Sequence, residues 1–105
     1  MATDTLTESR TRIVPEHIVY TDEDHTVFTA EIDLVGVAKD QISFRMRDDS
    51  FYLNATAADK EYVMSHGICH PVDPHKAKVT YREGLLKMEA PFKKPLKPMI
   101  DIPVE

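Results

Sequence analysis

Cys69 is the single cysteine in a chain of 105 residues, so no disulfide can form within it. A lone thiol fits a reducing compartment better than a secreted one. There are only three glycines, which leaves none to build the Gly-rich loop that cradles phosphates. Positive charge is in deficit, since 13 Lys and Arg face 18 Asp and Glu for a net charge of −5. Nucleic-acid backbones are held by clustered Lys and Arg, so no nucleic-acid partner is expected. No apolar run approaches the roughly 20 residues of a membrane helix, and no membrane partner is expected either. Residues 1–12 are polar and Thr-rich, without the apolar centre of a secretory leader. The expected location is therefore cytoplasmic.

What is present is ordinary for one soluble domain, and too short for two. The informative stretch runs from Phe28 to Met46. Phe28, Ala30, Ile32 and Leu34 alternate with Thr29, Glu31 and Asp33. After Gly36, Ile42, Phe44 and Met46 alternate with Ser43, Arg45 and Arg47. A two-residue period places one side of an extended segment in a core and the other toward water. Two half-buried strands joined by a polar corner are the seed of a sandwich.

The remaining chain has the same texture. His17 to Tyr20 reads as a short strand, followed by an acidic turn at Thr21-Asp22-Glu23-Asp24. Asp48-Asp49-Ser50 reads as a hairpin turn leading into Phe51 to Thr56, with Phe51, Leu53 and Ala55 on one face. Glu61 to Cys69 is extended, with Gly67 as an expected bulge or close-packing point. His70 to Pro74 is a loop, because its two prolines exclude a helix or a central strand. Pro74 to Ala77 fits one helical turn, Lys78 to Arg82 a strand, and Leu85 to Phe92 the last core strand. At the turn between them, Gly84 is expected to take the positive φ that Glu83 adopts only at a cost. Ile13 and Val14 read as the first core residues, with a partner contact as the alternative. About seven short strands with turns between them indicate an all-β, immunoglobulin-like sandwich of antiparallel strands. Its expected limits are residues 13–92, between a disordered arm at 1–12 and a flexible extension at 93–105.

Chemistry is poorly represented. His66, Cys69 and His70 bring three donors close in sequence, as zinc or a cysteine nucleophile would need. A strand aims Cys69 away from His66 and His70, and Pro71 breaks the pattern. Solvated His and a half-buried Cys are the ordinary explanation. The acidic turn lacks the glycine and the closing Glu of a calcium loop. No enzyme activity, cofactor or metal is expected.

Asp33-Leu34-Val35-Gly36-Val37, followed by Asp40-Gln41-Ile42, resembles the opening of the α-crystallin domain of small heat-shock proteins. Val35 stands where that family has Pro. Val79 to Leu86 is similar to the closing hallmark: Ala, three residues, Asn, Gly, one residue, Leu. Gly84 and Leu86 match it, while Val79 replaces the Ala and Glu83 the Asn. Together the two halves span about residues 15 to 92. Family members often end in Ile-x-Ile or Ile-x-Val after a linker. Here Ile100-Asp101-Ile102 fits, and Ile102-Pro103-Val104 offers a second register after the basic, Pro-rich Lys93 to Pro98. Alternate residues of an extended segment point the same way, so Ile100, Ile102 and Val104 form one apolar edge. The resemblance implies a docking groove for the tail or a client between Gln41–Arg47 and Lys78–Arg82, walled by Ile42, Phe44, Met46, Val79 and Tyr81. Plain core packing is the alternative for those five, and one more strand of the sandwich is the alternative for the tail.

The resemblance implies an ATP-independent chaperone that holds partly unfolded client proteins and assembles with itself as a dimer or homo-oligomer. Two departures matter. The connection between Thr56 and Glu61 has no room for the long loop that swaps between partners in many family members. The N-terminal arm is short and poor in aromatics. These features lean toward CS domains, compact co-chaperone modules that dock one folded partner. The absence of Trp ranks that reading second.

Overall fold

A computed structural model of the chain describes residues 11–94, 97 and 99–105. The strands are β1 (Thr11–Ile13), β2 (His17–Thr21), β3 (Val27–Asp33), β4 (Ile42–Arg47), β5 (Ser50–Thr56), β6 (Lys60–Gly67), β7 (Lys78–Arg82) and β8 (Leu85–Pro91). Single 3-10 turns at Lys39–Gln41 and Pro74–Lys76 precede β4 and β7. One four-stranded sheet has the order β1-β6-β5-β4, and the other β2-β3-β8-β7.

The alternation in the sequence explains the layers. Phe28, Ala30 and Ile32 from β3, Phe51, Leu53 and Ala55 from β5, and Leu86, Met88 and Ala90 from β8 are buried between the sheets. Burying each of the larger side chains contributes roughly 1.5–3 kcal/mol. Leu34, Val37, Ile68 and Val72 close the core from the connecting loops. β3 and β4 do not pair with each other. β3 runs between β2 and β8, and among the described residues β4 pairs only with β5, so the corner at Gly36 carries the chain from one sheet to the other.

The two stretches that carry the family resemblance meet at this corner. Leu34 N–H donates to the Gly84 carbonyl at 2.7 Å. The Tyr81 hydroxyl lies 2.8 Å from the Leu34 carbonyl and 2.6 Å from that of Val37. A Cβ on Gly84 would sit 2.8 Å from Val35 Cγ2, so the bare backbone of Gly84 makes room for Val35.

Several expectations are corrected. The expected sandwich of about seven strands is there, with eight among the described residues, but β1 pairs parallel with β6 where antiparallel strands were expected. Thr11 and Arg12 thus belong to a strand and not to an arm, because the free edge of β6 supplies hydrogen-bond partners for them. Residues 1–10 lie outside the described residues. Ile13, at the end of the edge strand β1, and Val14 just after it are exposed rather than core. Gly67 is no bulge: it pairs in register with Ser50, and a Cβ there would meet nothing within 4 Å. At the β7–β8 turn, Glu83 itself takes φ 51° and Gly84 φ 81°. Positive φ at both positions is the type I′ turn, a two-residue hairpin whose twist matches that of the strands.

Candidate binding flanks

A sandwich of two open sheets has two flanks where the layers can part. His17 on β2 touches His66 on β6 edge-on, with ring centroids 6.0 Å apart. β2 therefore lies over β6, and the other flank is bordered by the edge strands β4 and β7.

That β4/β7 flank is where the structure places the five expected groove residues. Ile42, Phe44 and Met46 face inward from β4, half-buried against the core. Val79 and Tyr81 pair with the buried Met88 and Leu86 and share their side of the sheet. Val79 is nonetheless 42% exposed, so apolar surface reaches solvent at this edge while Met88 and Leu86 beneath it stay buried. The five residues divide their labour. Phe44 stacks on Phe51 at 5.4 Å, which makes it as much core as wall. Tyr81 is held by its hydroxyl at the corner carbonyls. An uncharged hydroxyl has one proton, so it donates to one of the two oxygens at a time.

The C-terminal segment stands apart. Its described residues form no strand, and even Ile102, the least exposed of Ile100, Ile102 and Val104, is 76% exposed. The apolar edge is thus presented to solvent. Lys93 still belongs to the sandwich, with its N–H donating to the Pro71 carbonyl and its ammonium 3.2 Å from Asp48.

The β2/β6 flank, which the sequence reading did not single out, holds a cleft of about 280 Å³ lined by Val19, Phe28, Ile68 and Phe92 among others. These residues come from four separate segments, and no local pattern announces their meeting. The His/Cys constellation falls at its mouth and does not assemble a site. His66 stacks on Phe51 at 5.5 Å, and its Nδ1–H donates to the Gly67 carbonyl at 2.7 Å. His70 packs edge-on against Phe92, and Cys69 is exposed. Among the described residues, no three His, Cys, Asp or Glu side chains gather as metal ligands would.

The acidic turn has a structural use. The Asp22 carboxylate accepts from Thr26 Oγ1 at 2.5 Å, Thr26 N–H at 2.7 Å and Val27 N–H at 2.9 Å. The Thr26 hydroxyl, then the Val27 amide, hold its pKa below the ordinary aspartate value. Across the same hairpin, Tyr20 O–H donates to Glu31, and that bond to the carboxylate raises the phenol's pKa. Among the described residues, no helix is long and apolar enough to cross a membrane.

The architecture and its open flanks define an all-β sandwich built around exposed edges. No protein-family model matches the sequence, and no curated protein matches it. Solved structures do match. Heat shock protein 16.0 from Schizosaccharomyces pombe superposes with a TM-score of 0.72 at 13% identity, over 89% of this chain and 99% of that one. The hspA of Xanthomonas axonopodis gives 0.69 at 14% identity, over 80% and 98%. A small heat-shock protein from Xylella fastidiosa gives 0.67 at 14%, over 89% and 97%. The fold of this chain is therefore that of the small heat-shock proteins, an α-crystallin-type sandwich.

Proposed function

We propose that the protein is an ATP-independent chaperone that holds partly unfolded proteins and keeps them from aggregating. The observation that carries this reading is the β4/β7 flank, where two edge strands border apolar side chains that reach solvent at Val79. Edge strands offer unpaired N–H and C=O groups to an extended segment, and the apolar wall takes its side chains. Ile42, Phe44, Met46 and Val79 supply that wall, and Tyr81 keeps β7 fixed against the corner. Holding needs no catalytic group, cofactor or metal.

Ile100, Ile102 and Val104 compete with clients for the flank. In a second copy they link subunits, and tethering raises their effective concentration. The test is the aggregation of several unrelated heated proteins with and without the full chain. Suppression of most of them supports a holdase, and suppression of none refutes it.

One observation favours a rival. Thr56 and Lys60 are joined by a tight turn in which Ala57 N–H donates to the Lys60 carbonyl at 2.9 Å, with no strand to exchange. That suits a monomeric or dimeric module docking one folded partner, which would leave all the heated proteins to aggregate.

A further inference from the structure

The outer face of the β2-β3-β8-β7 sheet carries a patch that a solvated sheet face does not need. Val14 is 67% exposed, Ile18 58% and Leu85 41%. They border a trough of about 610 Å³ that Pro15, Glu16, His17, Glu31 and Asp33 also line. The strand register interleaves the two kinds of residue, since Ile18 pairs across β2–β3 with Glu31, and Asp33 across β3–β8 with Leu85. Among the described residues, none of the carboxylates of Glu16, Glu31 and Asp33 takes part in an ion pair. Tyr20 donates to one oxygen of Glu31 and Val35 N–H to Asp33 Oδ1 at 3.3 Å, which orients both groups without neutralising them. Lys87 on β8 stands opposite Glu31, and Arg82 on β7 opposite Leu85, so the patch is acidic along Glu16, Glu31 and Asp33 and positive charge begins on β8.

We propose that this trough is a second client-docking surface, selective for extended segments that mix apolar side chains with Lys or Arg. The proposal rests on the holdase reading and names the client chemistry that reading leaves open. An apolar floor draws apolar side chains out of water. Covering it also removes water from the carboxylates around it, and that is costly unless a cation replaces the water. Residues two apart in an extended segment lie about 6.8 Å apart on one side. Glu16, just before β2, and Ile18 on it have that same spacing, acidic then apolar, so a segment with cationic and apolar residues alternating on one side meets both.

The probe is a fluorescent twelve-residue peptide, Leu-Ser-Lys-Ser repeated, beside a twin with Glu in place of every Lys. Binding to the full chain is followed by anisotropy. The Lys peptide is expected to bind about tenfold tighter than the Glu twin. Added salt shrinks that advantage, because exposed charges are screened. The triple variant Glu16→Gln, Glu31→Gln, Asp33→Asn keeps shape and hydrogen bonding and removes the preference. Ile18→Ser with Leu85→Ser weakens both peptides. Equal affinity for the two peptides, or a preference that survives the triple variant, overturns the proposal. Heated-protein aggregation is measured in parallel. Suppression without charge preference sinks only the trough, whereas preference without suppression sinks the holdase reading and leaves the trough standing.

Discussion

Replacing Glu83 by Asn relieves a strain that the β7–β8 turn imposes. Glu83 sits at φ 51°, followed by Gly84 at φ 81°. In that region the Cβ of an L-residue crowds its own carbonyl, at a cost of about 1–2 kcal/mol. Asn tolerates the conformation best among the non-glycine residues, since its short amide bonds locally. Glu83 is exposed, and its carboxylate has no ion pair among the described residues, so little is lost on replacement. Glu83→Asn is therefore expected to stabilise the sandwich by about 1 kcal/mol. In urea, with a slope of about 2 kcal/mol/M for a small domain, the midpoint rises by about 0.5 M at unchanged slope. The contrasting variant is Gly84→Ala. Its Cβ would be forced to positive φ and to within 2.8 Å of Val35 Cγ2 and 3.1 Å of Val35 Cα, so its midpoint falls. A midpoint for Glu83→Asn at or below that of the parent chain, with an unchanged circular dichroism spectrum, refutes the reasoning about the turn.

Tyr81→Phe removes the hydroxyl held at the Leu34 and Val37 carbonyls and is expected to cost about 1 kcal/mol by urea unfolding, as for a typical lost hydrogen bond. Ile100→Ala with Ile102→Ala is expected to reduce the mass of any oligomer in light scattering while leaving the unfolding midpoint of an isolated subunit in place, because both side chains are solvent-exposed. An unchanged mass counts against a linking tail. Asp22→Asn is expected to destabilise the β2–β3 hairpin at neutral pH, where the charged form of Asp22 is held by Thr26 and Val27. A carboxylate with a lowered folded pKa stabilises above its unfolded pKa and loses that contribution as pH falls through the folded value. The stability difference between the parent chain and the Asp22→Asn variant, measured by denaturation across a pH series, therefore closes in acid.

Much of the sandwich could be read from local pattern. The alternation in Phe28 to Leu34, Ile42 to Met46 and Phe51 to Ala55 assigns inward and outward faces, because the side-chain period of a strand is set by the backbone. The turn at Glu83-Gly84 and the corner at Gly36 were also visible, since positive φ favours glycine. Which strands stand at the edges was not visible, because pairing joins residues far apart in the chain. The parallel seat of Thr11–Ile13 on β6 is an example: nothing near residue 11 signals Lys60. Tyr81 read as a groove wall, yet its hydroxyl spans 44 and 47 residues to reach the corner. His66 read as a candidate ligand, yet the register sets it on Phe51.

The all-β class, the faces of the long strands and the alternating apolar residues of the tail are all written into the chain locally, because each depends on spacing within a few residues. Folding in three dimensions was needed to establish that β1 covers the edge of β6 and that Val14, Ile18 and Leu85 gather beside the carboxylates of Glu16, Glu31 and Asp33. Those are properties of surfaces, and a surface exists only once distant strands have been placed side by side.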